Sequence, residues 1–124
     1  MDSTNPNIGR MPVLDETNYQ YWKLRMRTFL KSVDQGCWEA CLTHYTPPLR
    51  TADEQGDKVP VLYAEYNTAQ KAAHSANEKA LNHIFAWIDT HMFKLIQNCT
   101  AAKQAWEILQ SHCEGDARDR KSVV

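Results

Sequence analysis

Glycine is scarce in this 124-residue chain, with only four residues. That leaves little material for a backbone loop wrapped closely around a phosphate or a dinucleotide. No G-x-S-x-G elbow, H-E-x-x-H pair or glycine-rich phosphate loop occurs, so nothing in the sequence specifies a catalytic site. The apolar runs are only a few residues long, too short to span a bilayer. The polar start "MDSTNPNIGR" lacks the apolar core of a signal peptide. The chain is therefore read as a cytoplasmic protein with no membrane partner. Excess charge of one sign is also missing. Fourteen Lys and Arg face fifteen Asp and Glu, a formal charge of -1, which removes the global pull toward phosphate of a dedicated nucleic-acid binder.

What is present suits one folded domain. The 43% hydrophobic and 23% charged content is that of a globular chain, and the length supports a single core. Four cysteines occur at positions 37, 41, 99 and 113. Cys37, Cys41 and His44 have the spacing C-x3-C-x2-H, but no compact second pair follows to complete a tetrahedral zinc site. Reduced, buried thiols and no stoichiometric zinc are expected, with no metal ligand and no cofactor assigned. Of the histidines, His83 alone has neighbours worth weighing as co-ligands, Asp89 and His91, and a structural role is the better reading.

Apolar spacing gives helices. Trp22, Met26, Phe29, Leu30 and Val33 make one stripe at i, i+4, i+7, i+8 and i+11, with Thr17 or Asn18 placed to cap the first turn. "CWEACL" is a short helix stopped by the prolines of "TPPL". "LRTADEQGDKVP" has the makeup of an exposed loop, after which helix resumes near Val61. Ala80, Leu81, Ile84, Phe85 and Ile88 form a second stripe. "THMFKLIQNC" is a further short helix. Thr100 is placed to cap the last one, which presents Ala102, Ala105, Trp106 and Leu109 inward and stops at Gly115. The expected fold is all-α, a compact bundle of about five helices without a sheet. Its core anchors are Trp22, Met26, Phe29, Leu30, Leu81, Ile84, Phe85, Trp106 and Leu109. Trp87 is less settled, because Phe85 and Ile88 compete for the inward direction. Residues 1–12 are read as a flexible arm, 13–115 as the helical domain with a loop at 46–60, and 116–124 as a polar tail or the start of a further helix.

Beside the first apolar stripe, Lys23, Arg27 and Lys31 recur every four residues. Such a stripe is a solvated helix side, a contact for an acidic subunit surface, or a contact for RNA phosphate.

Two blocks carry a family resemblance. "VLDETNYQYWKLRMRTFLKSVDQGCWE" resembles the start of the Gag protein of Ty1/copia-type retrotransposons, especially plant ones, with their L-x-G-x-N-Y-x-x-W pattern before a basic and apolar helix and a later tryptophan. "ANEKALNHIFAWIDTHMFKLIQNCTAAKQAWEILQSHCEG" is similar to the same family's A-L-x-x-I, its short helix ending in N-C, its A-K-x-A-W-x-x-L and its closing E-G. Glu16 stands where the family often has glycine, and Cys113 where an aromatic residue is common. The resemblance implies the N-terminal part of a capsid region that acts by self-association with other Gag subunits and not as an enzyme. Family members continue into a zinc knuckle that binds RNA, whereas this sequence ends at "DARDRKSVV". RNA is thus expected to bind weakly if at all. A host-used helical module derived from Gag, which binds another protein, is the second reading.

Overall fold

The structure is a computed structural model that describes residues 10–52 and 54–115. Five α-helices appear among them: α1 Tyr19–Val33, α2 Gln35–Ala40, α3 Thr68–Ala86, α4 Thr90–Ile96 and α5 Ala102–Glu114. None is long and apolar enough to cross a membrane. The expected tail 116–124, and residues 1–9 of the expected arm, lie outside the described residues. The rest of that arm differs from the expectation, because Met11 is already buried in the core.

The stretch before α1 is fastened by its backbone. Leu14 forms a single parallel bridge with Ile88, its N–H donating to the Trp87 carbonyl at 2.8 Å and its carbonyl accepting from the Asp89 N–H at 3.0 Å. Asp15 then folds the chain into a turn by accepting from both the N–H and the hydroxyl of Thr17. Asn18 occupies the N-cap of α1 but does not cap it through its side chain. Its amide instead donates to the Val13 carbonyl and accepts from the Asp15 N–H, so it ties the turn rather than the helix. Neither sequence candidate for the cap therefore acts as one.

α1 buries Tyr19, Trp22, Met26 and Leu30. Val33, expected to continue this stripe, is 39% exposed, because the chain turns away at the next residue. Asp34 closes α1 through its N–H and opens α2 by accepting from the Gly36 N–H. One residue thus makes the corner, and α2 lies against both α1 and α3.

The segment between α2 and α3 corrects the expectation of an all-α fold. Leu49–Thr51 (β1) and Lys58–Pro60 (β2) pair as an antiparallel hairpin in the register Leu49↔Pro60, Arg50↔Val59 and Thr51↔Lys58. Gly56 takes the positive φ of 82° that the turn requires. Three-residue strands with exposed faces give no alternation to detect, which is why the sequence reads only as loop here. The fold is mostly helical with a small two-stranded sheet. Regular helix also resumes later than expected. A single 3-10 turn at Tyr63–Glu65 precedes α3, whose start is fixed by a reciprocal capping box between Asn67 and Gln70.

The core joins the two ends of the chain. Trp22 and Trp106 stack with ring centroids 5.6 Å apart, and Trp38 meets Trp106 edge-on at 5.3 Å. Leu81, Ile84 and Leu109 are buried with them, together with Leu14, Met92 and Ile96. Phe29 and Phe85 are half-buried at the margin, as is Trp87. Phe29 packs edge-on to His83, and Phe85 edge-on to Phe93.

The one buried polar residue among those described, Asn77 on α3, explains how α5 begins. Its side-chain oxygen accepts from the Ala102 N–H at 2.8 Å, and its amide donates to the Thr100 carbonyl at 2.7 Å. The cap of α5 therefore comes from another helix and not from Thr100, which is exposed. Replacing Asn77 by Ala would strand a buried donor and acceptor, at a cost of about 2 kcal/mol, whereas Thr100→Ala should cost less than about 0.5 kcal/mol. Urea unfolding of the two variants checks this order; equal losses would return the cap to Thr100. Trp106→Ala should cost about 3–5 kcal/mol, since it removes the ring on which both Trp22 and Trp38 rest.

Candidate interaction surface

With Trp22, Met26 and Leu30 inward, the 3.6-residue turn of α1 directs Gln20, Leu24, Arg27 and Lys31 outward. Leu24 is 50% exposed, and Arg27 and Lys31 are exposed beside it. This outer face joins an apolar side chain to two cations.

The third cation of the expected stripe is not available to a partner. Lys23 lies 3.1 Å from the Glu114 carboxylate at the end of α5 and 5.5 Å from the centre of the Tyr19 ring. At roughly 100° per residue, Lys23 falls between the buried sector and the outer face, where α5 reaches it. Arg25, on the opposite flank, donates to the Arg10 carbonyl and the Tyr21 hydroxyl. The outward basic stripe is thus Arg27 and Lys31.

A second surface follows α2, and the sequence reading missed it. Leu42, Leu49, Leu62 and Tyr63 are each more than half exposed along the connection to α3. A groove of about 560 Å³ is lined by Ala40, His44, Tyr45, Pro48, Ala73 and Ala76, among others, between the start of this connection and α3. Tyr45, Tyr63 and Tyr66 gather around His74 with ring centroids 5.3–6.2 Å from it. The available signal was the run of Val59, Val61, Leu62, Tyr63 and Tyr66 inside and after the supposed polar loop.

Among the described residues, no cysteine joins a cluster of three metal-binding side chains. Cys37 and Cys41 are buried on one side of α2, while His44 is exposed. Burial pushes the Cys41 thiol up to about 12 and the Cys113 thiol up to about 11, so both are protonated at neutral pH. His83 is engaged with Phe29, and Asp89 caps α4 by accepting from the Met92 N–H, so the pairing of His83 with Asp89 weighed from sequence is not made.

Glu114 is held below its ordinary value of 4.5, chiefly by the hydrogen bond from Lys23, with Gln110 and Gln20 also donating to it. A carboxyl with a lowered folded value contributes stability above its unfolded value and loses it as pH falls through the folded one. The destabilisation caused by Lys23→Met should therefore be full at neutral pH and shrink as pH drops below 4.5. Urea midpoints of the two proteins against pH check this; a gap independent of pH would mean that the lysine acts by packing alone.

A domain of unknown function, DUF4219, matches residues 14–42. That domain is found at the N-terminus of plant retrotransposon Gag-like proteins. The match runs from buried Leu14 through α1 and α2 to Leu42. No curated protein and no solved structure matches the chain.

Proposed function

We propose that this chain is a Gag-like capsid structural protein of a copia-type retrotransposon, acting in the cytoplasm by self-association and not by catalysis. The observation that carries the reading is the match over residues 14–42 together with the partner of its tryptophan. Trp22 in the matched stretch stacks on Trp106, which lies in the separate C-terminal block that resembles the same family. Two blocks of one family's pattern thus share one core, as they would in an intact capsid-like domain. The outer face of α1 supplies the type of contact that a repeating subunit needs: an exposed leucine flanked by cations, able to form a weak contact many times over. With Lys23 committed to Glu114, two free cations neutralise about two phosphates, well short of the six or more contacts of firm non-specific RNA binding.

Mass measurement over a wide concentration range tests the reading. Association should grow with concentration, and Arg27→Glu with Lys31→Glu should weaken it at unchanged helical content. A monomer at every concentration would overturn self-association and favour the host-used module that binds another protein. Submicromolar binding of single-stranded RNA at about 150 mM salt, lost in the same double variant, would make the face a nucleic-acid site instead.

A further inference from the structure

Three side chains with metal-binding atoms, from three separate segments, converge at the ends of α4 and α5. Glu16 comes from the turn before α1, His91 from the first turn of α4 and His112 from the last turn of α5. The Nε2 atoms of His91 and His112 lie 3.1 and 3.0 Å from the same carboxylate oxygen of Glu16. The two rings stand 5.6 Å apart, centre to centre. The donor atoms of all three residues fall within 4.8 Å of one another.

We infer that Glu16, His91 and His112 form a binding site for a first-row divalent transition-metal ion, with zinc the occupant that the donors suit best. Zinc holds imidazole nitrogen and carboxylate oxygen at about 2.0–2.2 Å, which puts neighbouring ligands of a tetrahedral site about 3.3–3.5 Å apart. The observed separations need only a small rotation of exposed side chains to match. Two nitrogens and one oxygen also select the class of ion: imidazole suits zinc, copper and nickel, whereas magnesium and calcium call for oxygen throughout. The side chains of Glu16 and His91 are 58% and 60% exposed, so the fourth position faces solvent and takes water or a donor from another molecule. Bound there, the ion would tie the turn before α1 to the start of α4 and the end of α5. The expectation of no stoichiometric zinc rested on the thiols, and these three residues take no part in that argument. The site stands independently of the capsid reading.

Titration of the full chain, free of any histidine tag, with zinc and with cobalt tests the site. One equivalent should bind with a dissociation constant tighter than about 100 μM, and cobalt should show d–d absorption without a thiolate charge-transfer band. His91→Ala and His112→Ala should each weaken binding by at least about tenfold, with Glu16→Gln weakening it as well. A hundredfold excess of zinc over its dissociation constant should raise the thermal midpoint by about 10 °C in the native chain and not in the double histidine variant. Without metal the two midpoints should agree within about 5 °C, because the His91 side chain is 60% exposed and the His112 side chain, 33% exposed, pairs with the exposed Glu16. Weaker binding, a thiolate band, undiminished affinity in the double variant, or equal affinity for calcium would overturn the assignment.

Discussion

One carbonyl oxygen organises this molecule. The Trp87 carbonyl, at the corner between α3 and α4, accepts from the Leu14 N–H and from the Trp22 indole, each at 2.8 Å. A carbonyl has two lone pairs, and both are used here by donors from the opposite end of the sequence. The first bond sets the backbone of the leading segment beside the corner, so that Leu14 is wholly buried. The second lets an indole be fully buried without stranding its polar atom. Trp22 then presents a face to Trp106, and α5 closes over α1. Without that acceptor, burying Trp22 would carry the cost of an unpaired N–H, of the order of 1–3 kcal/mol.

The second cross-chain constraint has the same form. Asn77 reaches from the middle of α3 to the first turn of α5, where Ala101 and Ala102 are buried and cannot draw on water. The N-cap position itself carries Ala101, which has no polar group to offer, and Thr100 one residue earlier is exposed; a donor–acceptor pair from the neighbouring helix reaches the buried groups directly. The cap thereby fixes the position of α5 relative to α3, which a local cap could not do. Lys23 and Glu114 then tie the far end of α5 back to α1.

Helices were readable wherever an apolar stripe faced a single core. Trp22, Met26 and Leu30, or Ala102, Ala105, Trp106 and Leu109, repeat at the helical period and are buried together. Phe29 and Phe85 follow the same arithmetic but sit at the edge of their stripes, where periodicity cannot tell a core position from a margin. Leu14 and Met11 lie outside any helix, so no periodic signal could announce that they are buried. The hairpin was hidden by its exposure, and the caps were misassigned because Asn18 turns back to Val13 and Asp15 instead of to α1, while α5 is capped by Asn77 from a helix far away in sequence. On the outer face of α1, the sequence placed three cations in a row but could not show that α5 ends beside one of them.

The cluster of Glu16, His91 and His112 was illegible for a related reason, and the governing carbonyl explains it. The bridge of Leu14 to Ile88 is parallel, so the two strands leave it in the same direction. Two residues past Leu14 the chain reaches Glu16, and three past Ile88 it reaches His91, which brings them side by side although they are far apart in sequence. Asp89, whose N–H bonds back to Leu14, also caps α4 and so fixes the turn on which His91 sits. α5 packs against α4, and its last turn carries His112 to the same place. The turn before α1 is tied by Asp15, Thr17 and Asn18 and not by Glu16, so the same backbone turn could form with no carboxylate at that position. The fold thus supplies the convergence, and the side chain at position 16 decides whether two neighbouring imidazoles become a three-donor site.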